Sequence, residues 1–273
     1  MLGDILLEPN LCNESSPVDV WWFERNFSQG RYGPDNRGSN ACTLIALLCA
    51  RKCAAGCIKM YADCNLNPVL VLALAEAILE GNDIHRELLT SGAITHVNLT
   101  IPEALEGAAD SLVGLTEWKS LIYLLDLGDT LYDQMKAGLR SWWGTSLGRT
   151  LDYVFVVLIC DNRSILFVFQ RTLEKATLID SHRHLDHGCV IAQVPIMNLH
   201  HLCFWHKNML KHCYGSKPDC YELSFLYMKP GKCAKGSSRI GNAFKHHEVQ
   251  GNKQLRQNKL NHKYKFRKKY KRR

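Results

Sequence analysis

The sequence predicts an α+β fold with helices packed on an antiparallel sheet, and three features carry that prediction. The first is Ala41-Cys-Thr-Leu-Ile-Ala-Leu-Leu-Cys-Ala50, an unbroken apolar run preceded by the breakers Gly33-Pro34 and Gly38-Ser39-Asn40. Straight-chain apolar residues following turn formers read as a buried helix. The second is a change of texture at Leu151. Asp152-Tyr-Val-Phe-Val-Val-Leu-Ile-Cys160 is β-branched and aromatic, Asp161-Asn162-Arg163-Ser164 makes a turn, and Ile165-Leu-Phe-Val-Phe169 returns as its hairpin partner. The third is the order of the two textures, since helical patterns first and strands afterwards indicate α+β.

The remaining elements follow the same logic. Residues 1–40 read as irregular and polar apart from Trp21, Trp22, Phe23 and Phe27. Asn67-Pro68 opens a second helix that runs to about Glu80, where Gly81-Asn82 interrupts it before a short continuation through Leu89. Pro102 suits the first turn of another short helix, and the mixed apolar and acidic stretch 117–137 reads as helical. Ala176-Thr-Leu-Ile-Asp180 is a third strand, 198–212 a helix, and Cys220-Tyr-Glu-Leu-Ser-Phe-Leu-Tyr227 a closing strand.

Charge divides the chain into three. Of its 34 Lys and Arg, 16 lie from Lys229 onward beside a single acid, Glu248, a local balance of +15. The residues before Lys229 hold 18 basic and 25 acidic side chains, a balance of −7. The expected organisation is an N-terminal extension over 1–17, a folded domain over 18–228 and a disordered basic tail over 229–273. The first ten residues lack the basic start and apolar core of a signal peptide, and no apolar run approaches the roughly 18 residues of a membrane span. Cysteines such as Cys49, Cys53 and Cys160 sit in apolar contexts, where a free thiol behaves as a small hydrophobe. A reducing, nuclear or cytoplasmic location is expected, with no membrane contact.

A cysteine nucleophile needs a favoured thiolate, a base within reach, and donors facing the developing oxyanion. Cys42 stands at the start of the buried helix, where free N–H groups and the helix dipole favour a thiolate; taken alone, a Cys in an Ala/Leu helix is a core residue. In Leu178-Ile-Asp180-Ser-His182-Arg-His184, residues two apart share a strand face, so Asp180 can orient the His182 imidazole. Taken alone, that pattern is a solvated strand end. Gln29, 13 residues before Cys42 and near two glycines, carries an amide suited to an oxyanion; the bland alternative is a loop glutamine. His184 lies two further along the same face, so a shift of strand register would exchange it with His182 as base.

In their order, Gln29, then Gly38-Ser39-Asn40-Ala41-Cys42-Thr43-Leu44, then Asp180-Ser181-His182, these parts resemble the papain-like peptidase domain at the front of the herpesvirus large tegument proteins, a deubiquitinase. The resemblance spans roughly 18–228 but has no counterpart for the helical region 65–150 or the basic tail. It implies a papain-like cysteine peptidase fold without cofactor. Cys42 would attack, His182 act as base, Asp180 orient it and Gln29 steady the oxyanion. It also implies a substrate, the isopeptide bond after the C-terminal Gly-Gly of ubiquitin or a ubiquitin-like protein. The same residues suit an inactive relative that only binds a modifier.

Two rival chemistries stand beside this one. Cys49, Cys53 and Cys57, spaced by four with Cys64 following, and the group His200, His201, Cys203, His206, His212 and Cys213 contain metal-ligand types. Structural zinc, however, prefers paired Cys knuckles converging from turns, and thiols spaced by four along an apolar helix are core. The tail Lys263-Tyr-Lys-Phe-Arg-Lys-Lys-Tyr-Lys-Arg-Arg273 interleaves aromatics with cations, which suits RNA or DNA contact or an import receptor.

Overall fold

The structure, a computed structural model, describes residues 10–12, 17–32, 38–61 and 66–230. Most of the expected N-terminal extension, Cys64 and nearly all of the basic tail lie outside the described residues. The architecture is mixed helix and antiparallel sheet. Chain order is β1 (Asn10–Cys12), β2 (Asp19–Glu24), α1 (Cys42–Ala55), α2 (Pro68–Thr90), α3 (Ile101–Gly107), β3 (Leu115–Tyr123), α4 (Leu127–Gly144), β4 (Tyr153–Cys160), β5 (Arg163–Gln170), β6 (Lys175–Asp180), β7 (His187–Pro195), α5 (Leu199–Tyr214) and β8 (Tyr221–Met228). The strands form one eight-stranded sheet ordered β1-β2-β7-β6-β5-β4-β8-β3, every neighbour antiparallel.

Both faces of this sheet are buried, which explains why its central strands read as continuous apolar runs. In β4, Phe155 and Val157 enter a core shared with α1, α2 and α3, while Val154, Val156 and Leu158 enter a second core shared with α4 and α5. Each fully buried side chain of this size contributes about 1.5–3 kcal/mol relative to exposure. The expectation of N-terminal helices on a sheet is thus corrected in one respect: α1–α3 cover one face, and α4 and α5 cover the other.

Helix α1 is apolar around almost its whole circumference, with Cys42 to Ala50 and Cys53 all buried, because it lies between the sheet and α2. A helix that is hydrophobic all round has no solvent face. Helix α2 begins as read, with the Asn67 side chain accepting from the Val69 amide at 3.0 Å and Pro68 in the first turn. It does not break at Gly81-Asn82. A Cβ on Gly81 would stand 2.6 Å from the Ile45 side chain and 3.3 Å from its backbone nitrogen, so the glycine exists to let α1 and α2 cross closely. Asn82, fully inside, gives its amide to the carbonyls of Ile78 and Gln29. Thr100 and Glu103 close a capping box on α3, with Pro102 in its first turn.

Four strands depart from the sequence reading: β1 and β2, within the stretch 1–40 read as irregular, and β3 and β7. The stretch 117–137 divides into β3, a half-exposed edge strand with a bulge between Glu117 and Lys119, and α4, which starts where Asp126 accepts from the Asp129 amide. An edge strand with one buried face and a bulge loses its period-two signal. Strand β2 was hidden among aromatics; Trp21 and Phe23 enter one core and Val18 and Val20 the other. Strand β7, unexpected from sequence, pairs with both β2 and β6.

Gly81→Ala tests the crossing of α1 and α2. Helix propensity favours Ala by about 1 kcal/mol, but overpacking at this contact costs about 1–3 kcal/mol, so thermal melts should show a net loss. Gly144→Ala, at the end of α4 with open space around it, should gain. A rise in Tm for both would contradict the packing.

Candidate active site

Cys42 is the first residue of α1, behind an N-cap, Ala41, that lends no side-chain cap. The turn is pinned from three sides. The Ser39 hydroxyl accepts from the Ala41 amide at 3.1 Å. Thr43 donates to or shares hydrogen bonds with the Leu99 carbonyl and the Ser164 hydroxyl, each at 2.9 Å. Ser164 is the second residue of β5, and the two-residue turn before that strand, Asp161-Asn162 with both φ values positive, sets the Asn162 carbonyl 4.0 Å from the Cys42 sulfur. Free N–H groups at the helix start favour negative charge at this spot, and no acidic side chain occupies the first turn.

His182 comes from the turn that follows β6. Strand β6 stops at Asp180, so Asp180 and His182 are not two residues of one strand face. They are held by a tight turn instead: Asp180 Oδ1 accepts both the His182 backbone amide, at 2.9 Å, and His182 Nδ1, at 2.7 Å. With Nδ1 so engaged, Nε2 is the ring nitrogen left over, and the ring lies close enough to Cys42 for each group to shift the other's titration.

The three groups titrate as a unit. Burial alone would push the Cys42 thiol up. The His182 hydrogen bond and charge, joined by hydrogen bonds from the Ser164 backbone and side chain, outweigh that and hold it below the ordinary thiol value. Burial would push His182 down, yet the Asp180 carboxylate and the Cys42 sulfur raise it to about 10. Burial would likewise raise Asp180, and the charges and hydrogen bonds of His184 and His182 hold it well below the usual carboxylate range. Both shifts act in the same sense, favouring a thiolate on Cys42 beside an imidazolium on His182.

Gln29 is not in an open loop. It sits in a single 3-10 turn, Gln29–Arg31, and is buried. Its side-chain nitrogen donates to the Ser39 carbonyl at 2.9 Å, its oxygen accepts from the Ser181 hydroxyl at 2.6 Å, and its backbone N–H donates to the Ser181 carbonyl at 2.8 Å. Gln29 therefore joins the loop before Cys42 to the turn before His182. A primary amide has two hydrogens, and the Ser39 carbonyl takes one of them. This arrangement depends on Gly188. A Cβ there would lie 2.2 Å from the carbonyl oxygens of both Glu24 and Phe27, so only glycine lets Cys189 N–H reach the Phe27 carbonyl at 2.7 Å and draw Ser28-Gln29 inward.

The structure thus gathers the four residues read from sequence, and it adds Ser164, Ser181, Asn82 and Gly188, which that reading missed. None carries a motif, since Ser164 and Ser181 look like ordinary turn residues until the chain is folded. His184 does not face Cys42. It is fully buried on the far oxygen of Asp180, at 3.0 Å, so the register that would make it the base is not the one adopted. Cys49 and Cys53 are core residues of α1 and Cys57 is exposed; Cys203 and His206 are core residues of α5. Among the described residues no group of three or more His, Cys, Asp or Glu side chains is placed to hold a metal ion.

No family model matches the chain, and no curated protein matches it in sequence. Solved structures similar to it include the ubiquitin-specific protease encoded by a murine cytomegalovirus tegument protein, in complex with a ubiquitin-based suicide substrate, at 12% identity and a TM-score of 0.49 over 78% of this chain and 88% of that one. Another is the Pseudomonas avirulence protein AvrPphB, at 11% identity and a TM-score of 0.39 over 69% and 92%.

The coupled titration predicts a two-step pH profile for alkylation of Cys42 by iodoacetamide. The first rise should come below the ordinary thiol value of about 8.5, as thiolate forms beside His182. The second should come near about 10, as His182 loses its proton and the sulfur becomes more nucleophilic. Exposed Cys220 serves as comparator and should be slower at neutral pH. A single rise at or above the ordinary thiol value would show that no ion pair forms.

Proposed function

We propose that this chain is a cysteine peptidase that removes ubiquitin or a ubiquitin-like modifier from proteins. The observation that carries the chemistry is an imidazole, His182, held on the Asp180 carboxylate at 2.7 Å beside Cys42 at the start of α1, with the thiol lowered and the imidazole raised by each other's presence. A thiolate beside a proton donor can break an amide in two balanced steps. The Cys42 sulfur attacks the scissile carbonyl carbon, and the oxygen takes the negative charge, facing the remaining amide hydrogen of Gln29 and the N–H groups that start α1. As the C–N bond breaks, His182 Nε2–H gives its proton to the departing amine, leaving a thioester and a neutral imidazole. Water then attacks the thioester, His182 takes its proton, the C–S bond breaks, and thiolate and imidazolium are restored beside a free carboxylic acid.

The choice of substrate rests on the order and spacing of Gln29, the Gly-Ser-Asn-Ala-Cys-Thr-Leu segment and Asp-Ser-His, which resemble a viral deubiquitinase domain.

A ubiquitin carrying a C-terminal electrophile should form one covalent adduct with the protein, mapped by mass spectrometry to Cys42 and lost in Cys42→Ala. With a ubiquitin-coupled fluorophore, His182→Ala should be nearly as inactive as Cys42→Ala, and the double variant hardly worse. Gln29→Ala should lower kcat by roughly 10²–10³, the range for one lost oxyanion donor. If a panel of ubiquitin-like probes leaves Cys42 untouched while iodoacetamide alkylates it readily, the substrate assignment is wrong and the thiol chemistry stands. Tight, saturable binding without cleavage would instead identify an inactive modifier-binding module.

A further inference from the structure

We infer that His184 is a positioning residue of the proposed peptidase site, held as an imidazolium between Asp180 and Gly188 so that the carboxylate stays ionised and fixed with one oxygen turned to His182. The inference rests on the peptidase reading for its purpose and on hydrogen-bond geometry for its chemistry.

His184 Nδ1 lies 2.9 Å from the Gly188 carbonyl oxygen and Nε2 lies 3.0 Å from Asp180 Oδ2. A carbonyl only accepts, so Nδ1 carries a hydrogen. An ionised carboxylate only accepts, so Nε2 carries one too, and the ring is a cation. The alternative moves one proton onto Asp180 Oδ2. That carboxyl already accepts two N–H donors from His182 on its other oxygen, which favours its ionised form, so the proton stays on the imidazole. Reversing the ring would not change the count, because both neighbours are acceptors.

The groups around His184 fit a cation with one counter-ion. Trp22 of β2 presents its ring at 5.4 Å and Tyr214 of α5 at 5.6 Å. His206 of α5, whose ring nitrogens have no hydrogen-bond partner, is pushed down to about 4 by burial, opposed by Asp180 and reinforced by the charge of His184. It therefore stays neutral. Cys189 of β7 is held as a thiol by its burial and by Asp180. The backbone is fixed as well, since His184 and His187 exchange N–H to carbonyl hydrogen bonds at 2.9 and 2.8 Å.

Burying an ion without such partners costs several kcal/mol, so a fully enclosed histidine cation needs a reason. Charge balance supplies one. With the nucleophile ready, Cys42 and Asp180 are negative and His182 is positive; His184 brings the buried site to neutrality. It also stops rotation of the carboxylate, which would otherwise turn Oδ1 away from His182. Removing it should let Asp180 take up a proton more easily, weaken the support of His182 and raise the Cys42 thiol. Strand alternation offered His184 as the base of a shifted register; its hydrogen bonds to Asp180 and Gly188 give it a different place.

Two measurements on the full chain test this. In protein labelled with ¹⁵N-histidine, His184 is assigned by the signals lost in His184→Phe, or in His184→Gln if the first variant does not fold. At neutral pH both of its ring nitrogens should show the shift of a protonated nitrogen; a single unprotonated nitrogen would overturn the inference, whatever the protein cleaves. The second is the pH profile of Cys42 alkylation. His184→Phe should move its first rise upward by about one unit, a tenfold loss of rate at neutral pH, while His184→Gln, which retains a donor for Asp180, should recover part of it. A merely structural residue would lower Tm in both variants and leave the profile in place, and that result would also overturn the inference. If the wild type shows no activated thiol at all, the peptidase reading fails while the state of His184 is still decided by its nitrogen signals.

Discussion

The carboxylate of Asp180 is the group on which the rest of this structure turns. It lies at the end of β6, almost without exposure, and accepts from three N–H groups, two from His182 and one from His184. An ion in that position is unfavourable by several kcal/mol unless donors and counter-charges surround it, and the fold is arranged to provide them. Once provided, the same low dielectric that makes the ion costly makes it effective. It raises the His182 imidazole, and that cation in turn lowers the thiol across from it. The rise of His182 traces directly to that buried negative charge, and the lowering of Cys42 follows through His182 with help from Ser164.

Bringing the sulfur to that charge is a problem of long-range packing. Cys42 begins a helix that must lie across β5 and under α2, while His182 follows a strand some 140 residues later in the chain. The apolar circumference of α1 forces it into the core, Gly81 lets α2 close over it, and Thr43 ties its first turn to Ser164 at the head of β5. On the far side, Gly188 lets the chain after β2 approach β7 closely enough for Gln29 to bridge Ser39 and Ser181. Two glycines with no chemistry of their own thus decide whether the reacting groups meet.

Much of this was legible in the sequence, though partly for the wrong reason. The helix start at Cys42 and the β4–β5 hairpin are local signals, strong because apolar runs and turn residues speak for themselves. The nearness of Asp180 to His182 was read from strand alternation, whereas the strand ends at Asp180 and a turn closed by the carboxylate itself makes the pair. What escaped was non-local. Strand β3 is an edge with a bulge, β2 is short, and β7 shows its role only through its two neighbours, so none announces itself by periodicity. Gly81 looked like a helix breaker because a close crossing partner cannot be seen in one dimension. His184 could be read only as an alternative base, because its two acceptors, Asp180 Oδ2 and the Gly188 carbonyl, meet it only in the folded chain.

The most direct test of the central claim, that the Asp180 charge acting through His182 makes the Cys42 thiolate, is the ultraviolet thiolate absorbance of the native protein titrated with pH, in wild type and in Asp180→Asn. The account predicts a Cys42 component, absent from Cys42→Ala, that appears below the ordinary thiol value in wild type and moves upward in Asp180→Asn, whose amide still holds the ring but no longer supports its charge. An Asp180→Asn titration that overlays the wild type, with the fold intact, would contradict it.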